Sequence, residues 1–213
     1  MRFRMPPLYP ILDERFFPEG EIPRSAFLDR TVRELADSGV TLLQLREKNG
    51  TREQIMRDAV TVRRAAGSGM RLILNDYAEL VRETGFDGVH LGQNDLAIRA
   101  ARLQLGPGCI LGFSTHTPQG TAQGDLTDVN YLVAGPVFAT ASKADTAPVI
   151  GLEGVRAARL ATGKPLVAIG GIGFAQVESV WAAGADSVAV IGALFAAGRS
   201  PGTIAQDFLR LFR

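Results

Sequence analysis

The sequence predicts an α/β fold, a single (β/α)8 barrel of the TIM type spanning residues 1–213. Three observations predict it: eight short apolar runs recur along the chain, an amphipathic stretch follows each, and no Pro/Ser-rich linker or charge block divides them. Each run is about five residues long, the length of a parallel strand buried on both faces. Strand–helix alternation repeated eight times is the pattern of a closed barrel. An open doubly wound sheet is the alternative, because periodicity alone does not show closure.

In order, the predicted strands are Leu8–Leu12, Thr41–Leu45, Arg71–Leu74, Gly88–Leu91, Ile110–Phe113, Tyr131–Ala134, Pro165–Ile169 and Ser187–Ile191. Ser25 is the predicted cap of the first helix, where Phe27, Leu28, Val32 and Leu35 recur at helical spacing. Thr51, with Glu53 two residues on, opens the second, whose apolar face carries Ile55, Ala59 and Val62. Phe174, Val177, Val180 and Trp181 mark a later helix, and Ile204–Phe212 a closing one.

Composition narrows the function. Lys and Arg total 23 against 22 Asp and Glu, a formal charge of +1, which argues against a broad nucleic-acid or membrane-surface footprint. Any basic chemistry must come from a few placed residues. The single cysteine, Cys109, forms no internal disulfide and reads as a buried structural thiol, which fits a reducing, cytoplasmic setting. The N-terminus lacks the apolar region of a signal peptide, and no stretch reaches the roughly 18 apolar residues of a membrane span.

The chemistry collects where the strands end, which in a barrel is where the loops of an active site begin. The second strand runs into Gln44-Leu45-Arg46-Glu47-Lys48. Alternation puts Gln44, Arg46 and Lys48 on one side, a grouping suited to a polyanion such as diphosphate, although a solvated strand end with Glu47 neutralising a neighbour has the same pattern. The third strand ends in Asn75-Asp76, and the fourth leads to Asp95. Each acid reads as a helix cap taken alone; together, on adjacent strands, they can share one hard cation such as Mg2+. Two histidines and one cysteine supply no transition-metal cluster. After the fifth strand come Ser114, a polar ligand contact, and His116, an acid/base or a plain loop histidine; His90 reads as a satisfied interior residue. The long loop after the sixth strand carries Thr140, Ala141, Ser142 and Lys143, a candidate flap over bound phosphate. Gly170-Gly171 after the seventh strand, and Ile191-Gly192 at the end of the eighth, stand where barrels commonly bind a phosphate.

Taken together, LLQLREK, LILNDYAEL, GFDGVHLGQNDL, ILGFSTH, GPVFATASKADTAP, PLVAIGGI and ADSVAVIGALF resemble the thiamine phosphate synthase family, in family order from Leu42 to Phe195. The resemblance implies a transferase that condenses 4-amino-2-methyl-5-(diphosphooxymethyl)pyrimidine with 4-methyl-5-(2-phosphooxyethyl)thiazole and releases pyrophosphate. It implies that Gln44, Arg46, Lys48, Asn75, Ser114 and Lys143 hold the pyrimidine diphosphate. Of these, Arg46, Lys48, Ser114 and Lys143 carry the catalytic role. Asp76 and Asp95 bind one Mg2+ per subunit, and Thr140, Ala141, Ser142, Gly171, Ile191 and Gly192 hold the thiazole phosphate. Ser142 stands for a frequent threonine, Ala139 for a frequent proline, and Gly192 for a frequent serine whose hydroxyl is thereby lost.

The reaction this implies is dissociative, with charge building on the departing pyrophosphate. Mg2+ with Arg46, Lys48 and Lys143 brings five positive charges against two from Asp76 and Asp95. The surplus nearly matches the roughly three negative charges of pyrophosphate. The thiazole nitrogen needs no general base. Two rival readings are the thiazole tautomerase branch of the same superfamily, with His116 as acid/base, and a non-catalytic sensor of phosphorylated thiamine precursors. The expected partners are small phosphorylated molecules, with neither nucleic acid nor membrane; homo-oligomerisation is left open.

Overall fold

Eight parallel strands hydrogen-bond in sequence order and the eighth returns to the first, closing the barrel, in a computed structural model that describes residues 3–140, 148–196 and 198–212. They are β1 (Leu8–Asp13), β2 (Leu42–Arg46), β3 (Arg71–Asn75), β4 (Gly88–Leu91), β5 (Ile110–Thr115), β6 (Tyr131–Ala134), β7 (Leu166–Ile169) and β8 (Ser187–Val190). Closure runs through Leu8↔Val188 and Tyr9↔Ala189, which excludes the open sheet. The helices are α1 (Glu21–Asp37), α2 (Arg52–Ala66), α3 (Val81–Thr84), α4 (Ile98–Leu105), α5 (Pro118–Asp125), α6 (Gly151–Leu160), α7 (Val177–Ala182) and α8 (Pro201–Arg210). None of the described helices is long and apolar enough to cross a membrane.

The apolar runs stay apolar on both faces because both faces are covered. On β2, Leu43 and Leu45 join Leu28, Val32, Leu35 and Val62 in the layer between sheet and helices. Leu42 instead faces the lumen with Tyr9, Ile11, Ile73, Ile110 and Tyr131. Fully burying each such side chain contributes about 1.5–3 kcal/mol. The lumen also holds polar tips that satisfy one another. Tyr9 and Tyr131 meet edge-on with hydroxyls 2.8 Å apart, and Gln44 Nε2 donates to the Tyr9 hydroxyl at 2.8 Å. Room for the Tyr131 ring comes from Gly112 on β5, where a Cβ would fall 2.1 Å from the ring's Cζ.

Most predicted boundaries hold to within a residue or two. Ser25 does not cap α1: the helix begins at Glu21 after Gly20, and Ser25 lies in its second turn. Phe17, ahead of the helix, packs on Phe27 and under the Arg24 guanidinium, which draws the start of α1 forward. Thr51 does cap α2, its hydroxyl accepting from Gln54 N at 3.3 Å. Cys109 is half-buried against the sheet–helix core, and burial pushes its thiol pKa up.

Candidate active site

One mouth of the barrel, at the C-terminal ends of the strands, gathers the polar residues in two adjoining halves. On the β1–β4 side, alternation along β2 works as expected. Gln44 points into the lumen, Arg46 turns to Asp13 at the end of β1, and Lys48 reaches Asp76 beyond β3. Glu47 turns the opposite way and pairs with Arg24 of α1 at 2.6 Å. Gln44, Arg46, Asn75 and Ser114 together line a void of about 20 Å3, room for about one water. Asn75 Nδ2 donates to the His90 carbonyl at 3.3 Å, and Ser114 Oγ sits 2.8 Å from His90 Nε2. His90 is thus the interior residue its place in a strand implied, and its ring positions the Ser114 hydroxyl.

Asp76 and Asp95 are not helix caps. The 3-10 turn after Asp76 starts behind Tyr77, and α4 starts behind Ala97. Asp95 Oδ2 accepts from Gly92 N at 2.6 Å, closing its own loop, while its Oδ1 lies 4.0 Å from Lys48 Nζ. The Lys48 ammonium therefore stands between the two carboxylates. Asp76 Oδ1 is buried without a hydrogen-bond partner. Burial pushes the Asp76 pKa up and Asp95 adds to that push, while the Lys48 hydrogen bond and charge oppose it. A buried, unpartnered carboxylate oxygen beside a second carboxylate fits a hard cation that also takes water and phosphate oxygens. Among the described residues no cluster of three or more His, Cys, Asp or Glu side chains forms a closed metal cage.

On the β5–β8 side lies the larger cavity, about 480 Å3, lined by Ser114, His116, Thr140, Gly171, Gln176 and Gly192 among others. Ser114 borders both voids. His116 Nδ1 donates to the Gly135 carbonyl at 2.6 Å, so in the neutral ring Nε2 is the acceptor. Gly170 and Gly171 take φ of +104° and +64°, and a Cβ on Gly171 would stand 2.6 Å from the Ala139 carbonyl oxygen. These glycines admit the strand-six loop, whose base is stitched to β7 by Val137 N→Ile169 O and Phe138 N→Gly170 O. Thr140, Gly171, Ile191 and Gly192 meet at this cavity. Ala141, Ser142 and Lys143, and with them the flap reading, lie outside the described residues.

Sequence reasoning passed over Asp13, Glu14 and Gln176. Asp13, fully buried, joins Arg15 (2.8 Å) and Arg46. Burial works against its charge, but those two guanidiniums outweigh it and hold the carboxyl below its usual range. Glu14 Oε1 accepts from Lys48 N, Asn49 N and Asn49 Nδ2 at 2.8–3.0 Å, shaping the loop that carries Lys48. The triplet Asp13-Glu14-Arg15 directly follows an apolar run, the same strand-end signal that marked the other strands.

A closed parallel barrel with a basic strand end, an acid pair and a glycine-rich cavity at one mouth defines an enzyme of the barrel class that handles phosphorylated ligands. The profile of the family described as "Thiamine monophosphate synthase" matches residues 8–194. The thiamine-phosphate synthase of Koribacter versatilis is 45% identical over 208 residues, 98% of this chain and 96% of that one. That of Desulfitobacterium hafniense is 39% identical over 184 residues, 86% and 88% of the two chains. The solved thiamine phosphate pyrophosphorylase from Pyrococcus furiosus superposes with a TM-score of 0.82 at 29% identity, covering 96% of this chain and 94% of that one. The chain belongs to the thiamine monophosphate synthase family and is a transferase of that family.

Proposed function

We propose that the chain joins 4-amino-2-methyl-5-(diphosphooxymethyl)pyrimidine to 4-methyl-5-(2-phosphooxyethyl)thiazole, giving thiamine monophosphate and pyrophosphate. The observation that carries the site assignment is the convergence at one mouth: Lys48 between Asp76 and Asp95, with Arg46, Asn75 and Ser114 beside it. The diphosphate sits over Gln44, Arg46, Lys48 and Asn75, and the thiazole phosphate in the β5–β8 cavity against Thr140, Gly171, Ile191 and Gly192. Ala141 and Ser142 join the thiazole phosphate, and Lys143 the diphosphate, from the strand-six loop.

Asp76 and Asp95 hold one Mg2+, which when bound supplies a Lewis acid for the phosphate oxygens. The chain's own residues do the rest. Arg46, held in place by Asp13, and Lys48 offset charge on the pyrophosphate as its bond to the pyrimidine methylene carbon breaks. The electron pair of that C–O bond leaves with the pyrophosphate. The thiazole nitrogen then donates its lone pair to the carbon, forming the C–N bond and a thiazolium. No proton moves, so His116 has no proton-transfer duty in this step. Its bond to Gly135 fixes the wall of the thiazole cavity instead. The two voids share Ser114, Ile169 and Ile191 as lining, which sets one reactant beside the other, the positioning effect that makes a bimolecular step effectively unimolecular.

Incubating the purified protein with both substrates and Mg2+ and measuring pyrophosphate tests this reading. Release is expected only when both substrates are present. Turnover of a thiazole carboxylate phosphate alone, without diphosphate, would instead favour the tautomerase reading. Tight binding of both phosphates without turnover would favour the sensor.

A further inference from the structure

Among the described residues that line the β5–β8 cavity, few side chains besides Thr140 can donate to the phosphate that the proposed function places there. No Lys or Arg is among the described residues that line it. Position 192 is glycine and offers no hydroxyl. Thr115 is engaged with Thr121 and the Val133 carbonyl, Ser114 with His90, and His116 with the Gly135 carbonyl. Gln176, from the turn leading into α7, also lines the cavity, and its Oε1 accepts from Gly173 N at 3.1 Å. Only the oxygen of a carboxamide can accept, so this contact fixes which end of the amide is spent. The NH2 end makes no hydrogen bond among the described residues.

We infer that Gln176 is a specificity residue for the phosphate of the thiazole substrate, its side-chain NH2 donating to a phosphate oxygen in place of the hydroxyl that Gly192 lacks. The inference rests on the reading of this cavity as the thiazole phosphate site. Anchoring by Gly173 N–H fixes the amide before the ligand arrives, so little side-chain freedom is lost on binding. A hydrogen bond to a charged group contributes about 1.5–3 kcal/mol, which corresponds to roughly ten- to a hundredfold in affinity.

Calorimetric titration of the full chain with thiazole phosphate and with the dephosphorylated thiazole alcohol tests it, using wild type, Gln176→Leu and Gln176→Glu. Gln176→Glu keeps an acceptor for Gly173 N–H but replaces the donor with a negative charge. Wild type should prefer the phosphate ester. Gln176→Leu should lose roughly tenfold for the ester and nothing for the alcohol, and Gln176→Glu should lose more than Gln176→Leu. Adding Gly192→Ser to Gln176→Leu should recover part of the ester affinity. If wild type prefers the ester and Gln176→Glu binds it equally well, Gln176 is a turn cap only and the inference is overturned. If wild type does not distinguish ester from alcohol, the phosphate-site reading itself falls, and the inference with it. Loss of ester and alcohol affinity together in both variants would also overturn it, as general damage to the turn.

Discussion

Lys48 carries two relationships at once. It faces the diphosphate in the proposed reaction, and its ammonium lies against Asp76 and 4.0 Å from Asp95. On the proposed reading, a metal at Asp76 and Asp95 would compete with the lysine for the same oxygens. Asp95→Ala is expected to raise the Mg2+ concentration needed for half-maximal activity. Lys48→Met, which keeps most of the stem and removes the charge, is expected to bind Mn2+ more tightly than wild type, by about tenfold, as read by electron paramagnetic resonance without substrate. Unchanged Mn2+ affinity in both variants would remove the pair from the metal site. Residue types and strand positions made the acid pair legible in the sequence. The lysine's place between the acids was not, because side-chain alternation gives a direction and no distance.

At the scale of elements, Arg24 ties α1 to the far side of β2. Its guanidinium meets Glu47 at 2.6 Å and also pairs with Asp58 of α2. Two buried carboxylates sharing one guanidinium leave an excess negative charge. Burial first, and then the charge of Asp58, push the Glu47 pKa up to about 8 from its ordinary 4.5, against the pull of Arg24. The folded protein keeps a proton there that the unfolded chain gives up near 4.5. Its stabilising effect is therefore complete below that pH, fades as pH rises towards 8, and is gone above. Glu47→Gln removes this dependence, so the fall in Tm from pH 5 to 8.5 should be smaller than in wild type. An equal fall would place the proton elsewhere. Alternation put Glu47 on the side away from Arg46 and Lys48, but the alternative of a solvated strand end with Glu47 neutralising a neighbour does not hold, because Glu47 is buried. Its partner, 23 residues back in α1, came only from packing. The start of α1 differs from expectation for a related reason: Ser25 has the right chemistry for a cap, but the helix begins at Glu21, where Phe17 packs on Phe27 and under Arg24.

Over the whole molecule, eight apolar runs separated by amphipathic segments were enough to read eight strands covered on both faces, because such a strand needs little besides length and apolarity; closure into a barrel came only from the β1–β8 pairing. What fills the lumen was less legible, since Tyr9, Gln44 and Tyr131 make a polar network inside an otherwise apolar cylinder. Gly112 makes room for it. Gly112→Ala should cost about 1–3 kcal/mol through overpacking, a Tm decrease of roughly 2–4 °C per kcal/mol for a chain of this size. A Tm equal to wild type would mean that the Tyr131 ring yields without strain. Closure of the barrel has one more consequence. Each of the eight described strands has a neighbour on each side, so the barrel leaves no backbone N–H or C=O row for another chain to extend. Any association with a second copy would therefore run through helix faces and loops, where Leu126 and Leu160 stand almost wholly in solvent.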